Sequence, residues 1–176
     1  MSFKERFSDE EQLLLSATPI LIGSAMAMAE SSGLATIKEL MASAKTYMGG
    51  LKAYPHNEII QGILPNLDDR KEAMAQAKEF RQNATARIKE KHVGNKEDFR
   101  RLLLSDTRDV NRLLKRKATA EESSEYKEWA ISVAENVAKA AKEGGFLGFG
   151  GERISAGEKA LFAELTASLG IDKTLA

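Results

Sequence analysis

The 176-residue chain contains no cysteine. That excludes disulfide stapling, thiolate catalysis and every thiolate metal site, and it suits a reducing cytosol, where we expect the protein to act. Proline is limited to 3 residues and aromatics to 6%, which argues against a turn-rich β sandwich. An excess of either charge is also missing: 26 Lys and Arg balance 26 Asp and Glu. This neutrality excludes a uniformly basic nucleic-acid binder and an acidic disordered tail. A secretory signal is not expected, because Asp9, Glu10 and Glu11 stand between the basic Lys4 and Arg6 and the first apolar run. That run, Gln12 to Ala29, has no charged residue and approaches the length of a membrane span. Ser16, Thr18, Pro19, Gly23 and Ser24 interrupt it, so we read a central buried helix and expect no membrane partner. Catalytic signatures are lacking too. There is no Gly-x-Ser-x-Gly elbow, His-Glu-x-x-His pair or Walker loop, and His56 and His92 are the only imidazoles. No catalytic residue is assigned, and a non-enzymatic protein is expected.

What is present reads as a succession of helices. A chain of this length should bury about two-thirds of its unfolded surface in one core. Ser8 with Glu11, Thr119 with Glu122 and Ser155 with Glu158 have capping-box spacing, in which hydroxyl and carboxylate each satisfy a free backbone N–H. They predict helices over residues 9–30, 119–143 and 155–169, the first kinked or broken at Pro19, which lacks an N–H. A helix over 35–54 carries Ile37, Leu40, Met41, Ala44, Met48 and Leu51 on one stripe, with Gly49 and Gly50 weakening its last turns. Ile59, Ile60, Ile63 and Leu64 form a short apolar turn between Pro55 and Pro65. A thin stripe of Ala73, Ala77, Phe80, Ala84 and Ile88 follows, ending at His92 with Gly94 and Asn95 as the break. Residues 96–117 are strongly amphipathic, with Phe99, Leu102, Leu103, Val110, Leu113 and Leu114 on one side and Arg101, Arg108, Arg112 and Lys115 opposite. Tyr126, Trp129, Ala130, Val133 and Val137, then Leu161, Phe162, Leu165 and Leu169, complete the core pattern. The expected class is all-α: a single domain over 1–176 of six or seven helices, with two loosely related helix-loop-helix halves at 8–54 and 119–170.

Charge is unevenly placed along this neutral chain. Residues 70–117 hold 15 basic and 7 acidic side chains, a net +8 balanced by −8 elsewhere. Arg101, Arg108, Arg112 and Lys115 form a candidate basic patch for phosphates or for an acidic protein surface. Phe80 and Phe99 are assigned to the core, which leaves no stacking platform for bases. The most distinctive segment is Gly144-Gly145-Phe146-Leu147-Gly148-Phe149-Gly150-Gly151. Its glycines could turn backbone N–H groups toward an anion, but a helix precedes it and no Lys-Ser/Thr pair follows. We expect Phe146, Leu147 and Phe149 to anchor in the core. Gly145, Phe146, Phe149, Gly150 and Gly151 are the candidate contacts if the loop instead meets a partner or an anion.

Met1-Ser2-Phe3 with Arg6 to Glu11, Ser32-Gly33-Leu34 before Lys38-Glu39, and Lys142 to Gly151 leading to Ile154-Ser155 and Glu158-Lys159 resemble a family of uncharacterised bacterial helical proteins along the whole chain. The resemblance implies an all-helical bacterial cytosolic protein and carries no activity. A fainter likeness is to TerB-like tellurite-resistance proteins, whose helices are joined by an Asp-Gly-x-Ile-x-x-x-Glu loop. Ile154-Ser155-Ala156-Gly157-Glu158 matches its second half, while Gly150 replaces the expected Asp and Arg153 is extra. This likeness makes Glu30, Glu143, Glu152 and Glu158 the candidate ligands for a divalent metal; no other cofactor is expected. The leading expectation is a non-catalytic cytosolic module that binds itself or another protein. The alternatives are a TerB-like metal or anion domain using the glycine loop, and sequence-independent nucleic-acid binding by residues 70–117.

Overall fold

The computed structural model of the chain describes residues 2–29, 35–65, 88–142 and 154–175, together with 71, 74, 75, 78, 82, 85 and 86. Every regular element among them is helical, as the apolar periodicities predict. The elements are α1 (Phe3–Arg6), α2 (Asp9–Ala29), α3 (Ala35–Ala53), α4 (Glu58–Ile63), α6 (Lys96–Lys117), α7 (Ala120–Lys142) and α8 (Ala156–Leu169). Between α4 and α6, helical positions at 71, 74, 75, 78, 82, 85, 86 and 88–90 make up α5. The expected stripe residues Ala73, Ala77, Phe80 and Ala84 lie outside the described residues, and Ile88 is half-buried.

All three capping boxes form. Ser8 N–H donates to Glu11 Oε2 at 2.9 Å, Thr119 N–H to Glu122 Oε2 at 2.9 Å and Ser155 N–H to Glu158 Oε2 at 2.8 Å, each with the reciprocal hydroxyl bond. Gly170 ends α8 in the left-handed region at φ 69°, as expected for a C-cap glycine. The expected break at Gly94 and Asn95 is present, residues 91–95 being non-helical and Asn95 capping α6. The left-handed residue is His92, at φ 53°, with its N–H on Lys89 O at 3.0 Å and Val93 N–H on Ile88 O at 3.2 Å. α1 is an element that the apolar pattern did not signal; it buries Phe3 and Phe7, whose rings lie 5.2 Å apart. α4 is only six residues long and would not persist alone. Asn57 caps it by accepting from the Ile59 and Ile60 amides, and both isoleucines are fully buried, worth about 1.5–3 kcal/mol each.

α2 is the central element, packed against α3, α4, α6, α7 and α8. It is the one described helix long and apolar enough to cross a membrane, and 56% of that apolar window is buried inside the bundle. It has no basic residue in its last turn; Lys96 at the start of α6 supplies one, donating to Met28 O at 3.1 Å. Of the kink or break expected at Pro19, the break does not occur, since α2 runs unbroken through it. The physical reason lies on α7. Pro19 has no N–H for the Leu15 carbonyl, and the Tyr126 hydroxyl donates to that oxygen instead, at 2.6 Å and fully buried. Tyr47 on α3 adds a longer contact to Ser16 O at 3.4 Å. Trp129 lies between the two tyrosines, 5.2 Å from the Tyr47 ring and 5.6 Å from that of Tyr126, and its indole N–H donates to Tyr47 O at 3.2 Å. α3 continues to Ala53 through Gly50. A Cβ there would sit 2.6 Å from Trp129 Nε1, so the missing side chain is what lets the indole reach the helix.

Candidate interaction surface

α6 shows how the basic tract is arranged. Its inner face buries Leu103, Val110, Leu113 and Leu114, together with Asp106 and Thr107, which apolar periodicity does not reveal. The Thr107 and Ser168 hydroxyls share a hydrogen bond of 2.7 Å that ties this face to α8. Arg101, Arg108, Arg112 and Lys115 lie outward and exposed, over about 21 Å of helix. The structure therefore brings the four predicted patch residues onto one side.

Most of the α6 cations are neutralised within the molecule. Arg101 pairs with Asp98 and Arg112 with Asp109, each three residues back on the same helix. Arg100 reaches Glu164 on α8 with 2.9 and 2.7 Å contacts, and Lys117 reaches Glu11 on α2 at 2.6 Å. The exposed pairs add little stability, yet any phosphate at those positions would first have to displace a carboxylate. Arg108 and Lys115 have no carboxylate partner among the described residues, and Lys96 meets only the Met28 carbonyl.

An opposite stripe runs along α7. Glu121, Glu125 and Glu128, spaced by four and three, share one helical face. Asn57 Nδ2 donates to Glu125 Oε2 at 2.9 Å. Burial first, then the charges of Glu128 and Glu125, raise the Tyr54 hydroxyl above its ordinary pKa, which places that tyrosine beside the acidic stripe. This face was missed in the sequence reading, although its i, i+4, i+7 spacing was available as a signal. Glu122 faces elsewhere: its carboxylate takes both terminal nitrogens of Arg6, at 2.7 and 3.1 Å, and fastens the N-terminus to α7.

The remaining candidates divide simply. Glu30, Glu143, Glu152, Gly145, Phe146, Phe149, Gly150 and Gly151 lie outside the described residues. Glu158 is 1% exposed and occupies the third position of α8, where its carboxylate caps the helix. Among the described residues no group of three or more His, Asp or Glu side chains is arranged to hold a metal. His56 and His92 are both exposed. No protein-family model, curated protein or solved structure matches the chain.

Proposed function

We propose that the protein works by binding rather than catalysis, as a cytosolic helical module that pairs with a second copy of itself through the α6 and α7 stripes. One observation carries the reading: consecutive helices of a single molecule present an outward basic face and an outward acidic face. In a two-fold pair the basic stripe of each copy meets the acidic stripe of the other, so the same contact is made twice. Other registers set like charge against like, which gives orientation and a fast encounter rather than great affinity. The cytosolic setting and the likeness to bacterial helical proteins belong to the same proposal. The burial of α2, 56% of whose apolar stretch lies inside the bundle, supports a core helix rather than a membrane span.

Sedimentation of the full chain at about 0.1 M and about 1 M salt tests the pairing, because the screening length falls from about 10 Å to about 3 Å. Dimer at the lower salt and monomer at the higher is expected. Arg108→Glu with Arg112→Glu should be monomeric at both salts, and mixing it with Glu121→Lys plus Glu128→Lys should restore a mixed pair. A chain that stays monomeric at 0.1 M salt up to about 1 mM protein overturns the proposal.

A further inference from the structure

We propose that the groove between the end of α6, the first turns of α7 and the start of the C-terminal tail binds a small organic phosphate, with Lys115 and Lys127 as its counter-charges. The groove encloses about 500 Å³. Its polar lining is dominated by donors without partners. Lys115 and Lys127 reach in from α6 and α7, and the Ser123 and Ser124 hydroxyls stand one turn before Lys127. None of the four side chains has a hydrogen bond or ion pair within the described residues.

That distinguishes the pair from the cations around it, since Arg100, Arg101, Arg112 and Lys117 each have a carboxylate. Lys127 is half-buried; burial first, then the charge of Lys115, lowers its ammonium pKa. Two cations held together in a cleft against a single carboxylate on its rim leave an excess of positive charge that a phosphate would offset. The start of α7 adds to the field. Thr119 Oγ1 occupies the Glu122 amide, whereas Ala120, which lines the groove, lies in the helix's first turn, where N–H groups lack intrahelical acceptors. Glu128 is the one acid on the rim, and its charge is also felt by the Tyr54 hydroxyl. Leu114, Ala118 and Ile171 give an apolar floor on which the organic part of the ligand can rest. A phosphate therefore fits where lysine, hydroxyl and amide donors converge, beside a surface suited to a short apolar or planar group.

Titration of the ¹⁵N-labelled full chain with inorganic phosphate and with pyrophosphate, at ionic strength held constant with chloride, reads the site directly. Saturable shifts of the Ala120, Ser123 and Ser124 amides are expected, and stronger ones with pyrophosphate. Lys127→Gln should weaken binding about tenfold or more, Lys127→Arg should retain it, and Lys159→Gln, exposed at the start of α8 and outside the groove, should leave it unchanged. The proposal is overturned by shifts that never saturate, by equal shifts with chloride alone, or by a Lys127→Gln variant that folds and binds as the parent does.

Discussion

The continuity of α2 through Pro19 rests on a hydroxyl from another helix, and removing that hydroxyl isolates the effect. Tyr126→Phe keeps the ring and its edge contact with Trp129 but leaves the Leu15 carbonyl without the 2.6 Å donor. Leu15 and Tyr126 are both fully buried, so water cannot replace the bond. A buried acceptor stripped of its partner costs about 1–3 kcal/mol. Burial holds the Tyr126 phenol well above its ordinary pKa, so it remains a neutral donor across the working pH range. Pro19→Ala supplies what proline lacks, an N–H aimed at the same carbonyl. The two substitutions should therefore couple: in the Pro19→Ala background the hydroxyl loss should cost less by about 1–2 kcal/mol. The cycle does not depend on the sign of the Pro19→Ala effect alone, because the lost ring volume enters both of its arms. Urea denaturation of the four proteins, followed by Trp129 fluorescence and helical circular dichroism, measures the coupling. Additivity within about 0.5 kcal/mol would refute the assignment of Tyr126 as the substitute donor.

Two neighbouring glycines on α3 should respond oppositely to alanine. Gly50→Ala places a Cβ 2.6 Å from Trp129 Nε1 and should cost about 1–3 kcal/mol with a shift in Trp129 emission, whereas Gly49→Ala meets nothing within 4 Å and should gain about 0.5–1 kcal/mol. Equal effects at the two positions would contradict the packing of Trp129. For Glu122, burial raises the carboxyl pKa, but the Arg6 guanidinium and the Thr119 amide outweigh it and hold the group below its ordinary value. Glu11 is lowered chiefly by Lys117. A depressed carboxylate contributes stability that is complete above the unfolded value of about 4.3 and lost as pH falls through the folded one. Stability should therefore decline below about pH 4.5, and Glu122→Gln should cost about 1–3 kcal/mol at neutral pH and flatten part of that decline. An unchanged acid limb in that variant would remove Glu122 from the account.

The legible part of this fold is the local part. Ser8 with Glu11, Thr119 with Glu122 and Ser155 with Glu158 announce helix starts because both partners lie within one turn, and the apolar stripes of α6, α7 and α8 needed only a period of 3.6. That α2 stays unbroken at Pro19 was not legible because the substitute donor lies 111 residues beyond the carbonyl it serves. The Arg6 and Glu122 pair, 116 residues apart, was hidden for the same reason. Charge follows the same division. The i, i+3 pairs of Arg101 with Asp98 and Arg112 with Asp109 can be read from spacing, whereas Arg100 with Glu164 and Lys117 with Glu11 exist only after folding. A tally along the chain therefore overstates what α6 offers a partner. Among the charges left without an ion pair once the intramolecular pairs are removed are Arg108 and Lys115 on α6, and Lys127, Glu121 and Glu128 on α7. Those five side chains make no hydrogen bond or ion pair within the described residues, so a phosphate or a second copy gains most by meeting them.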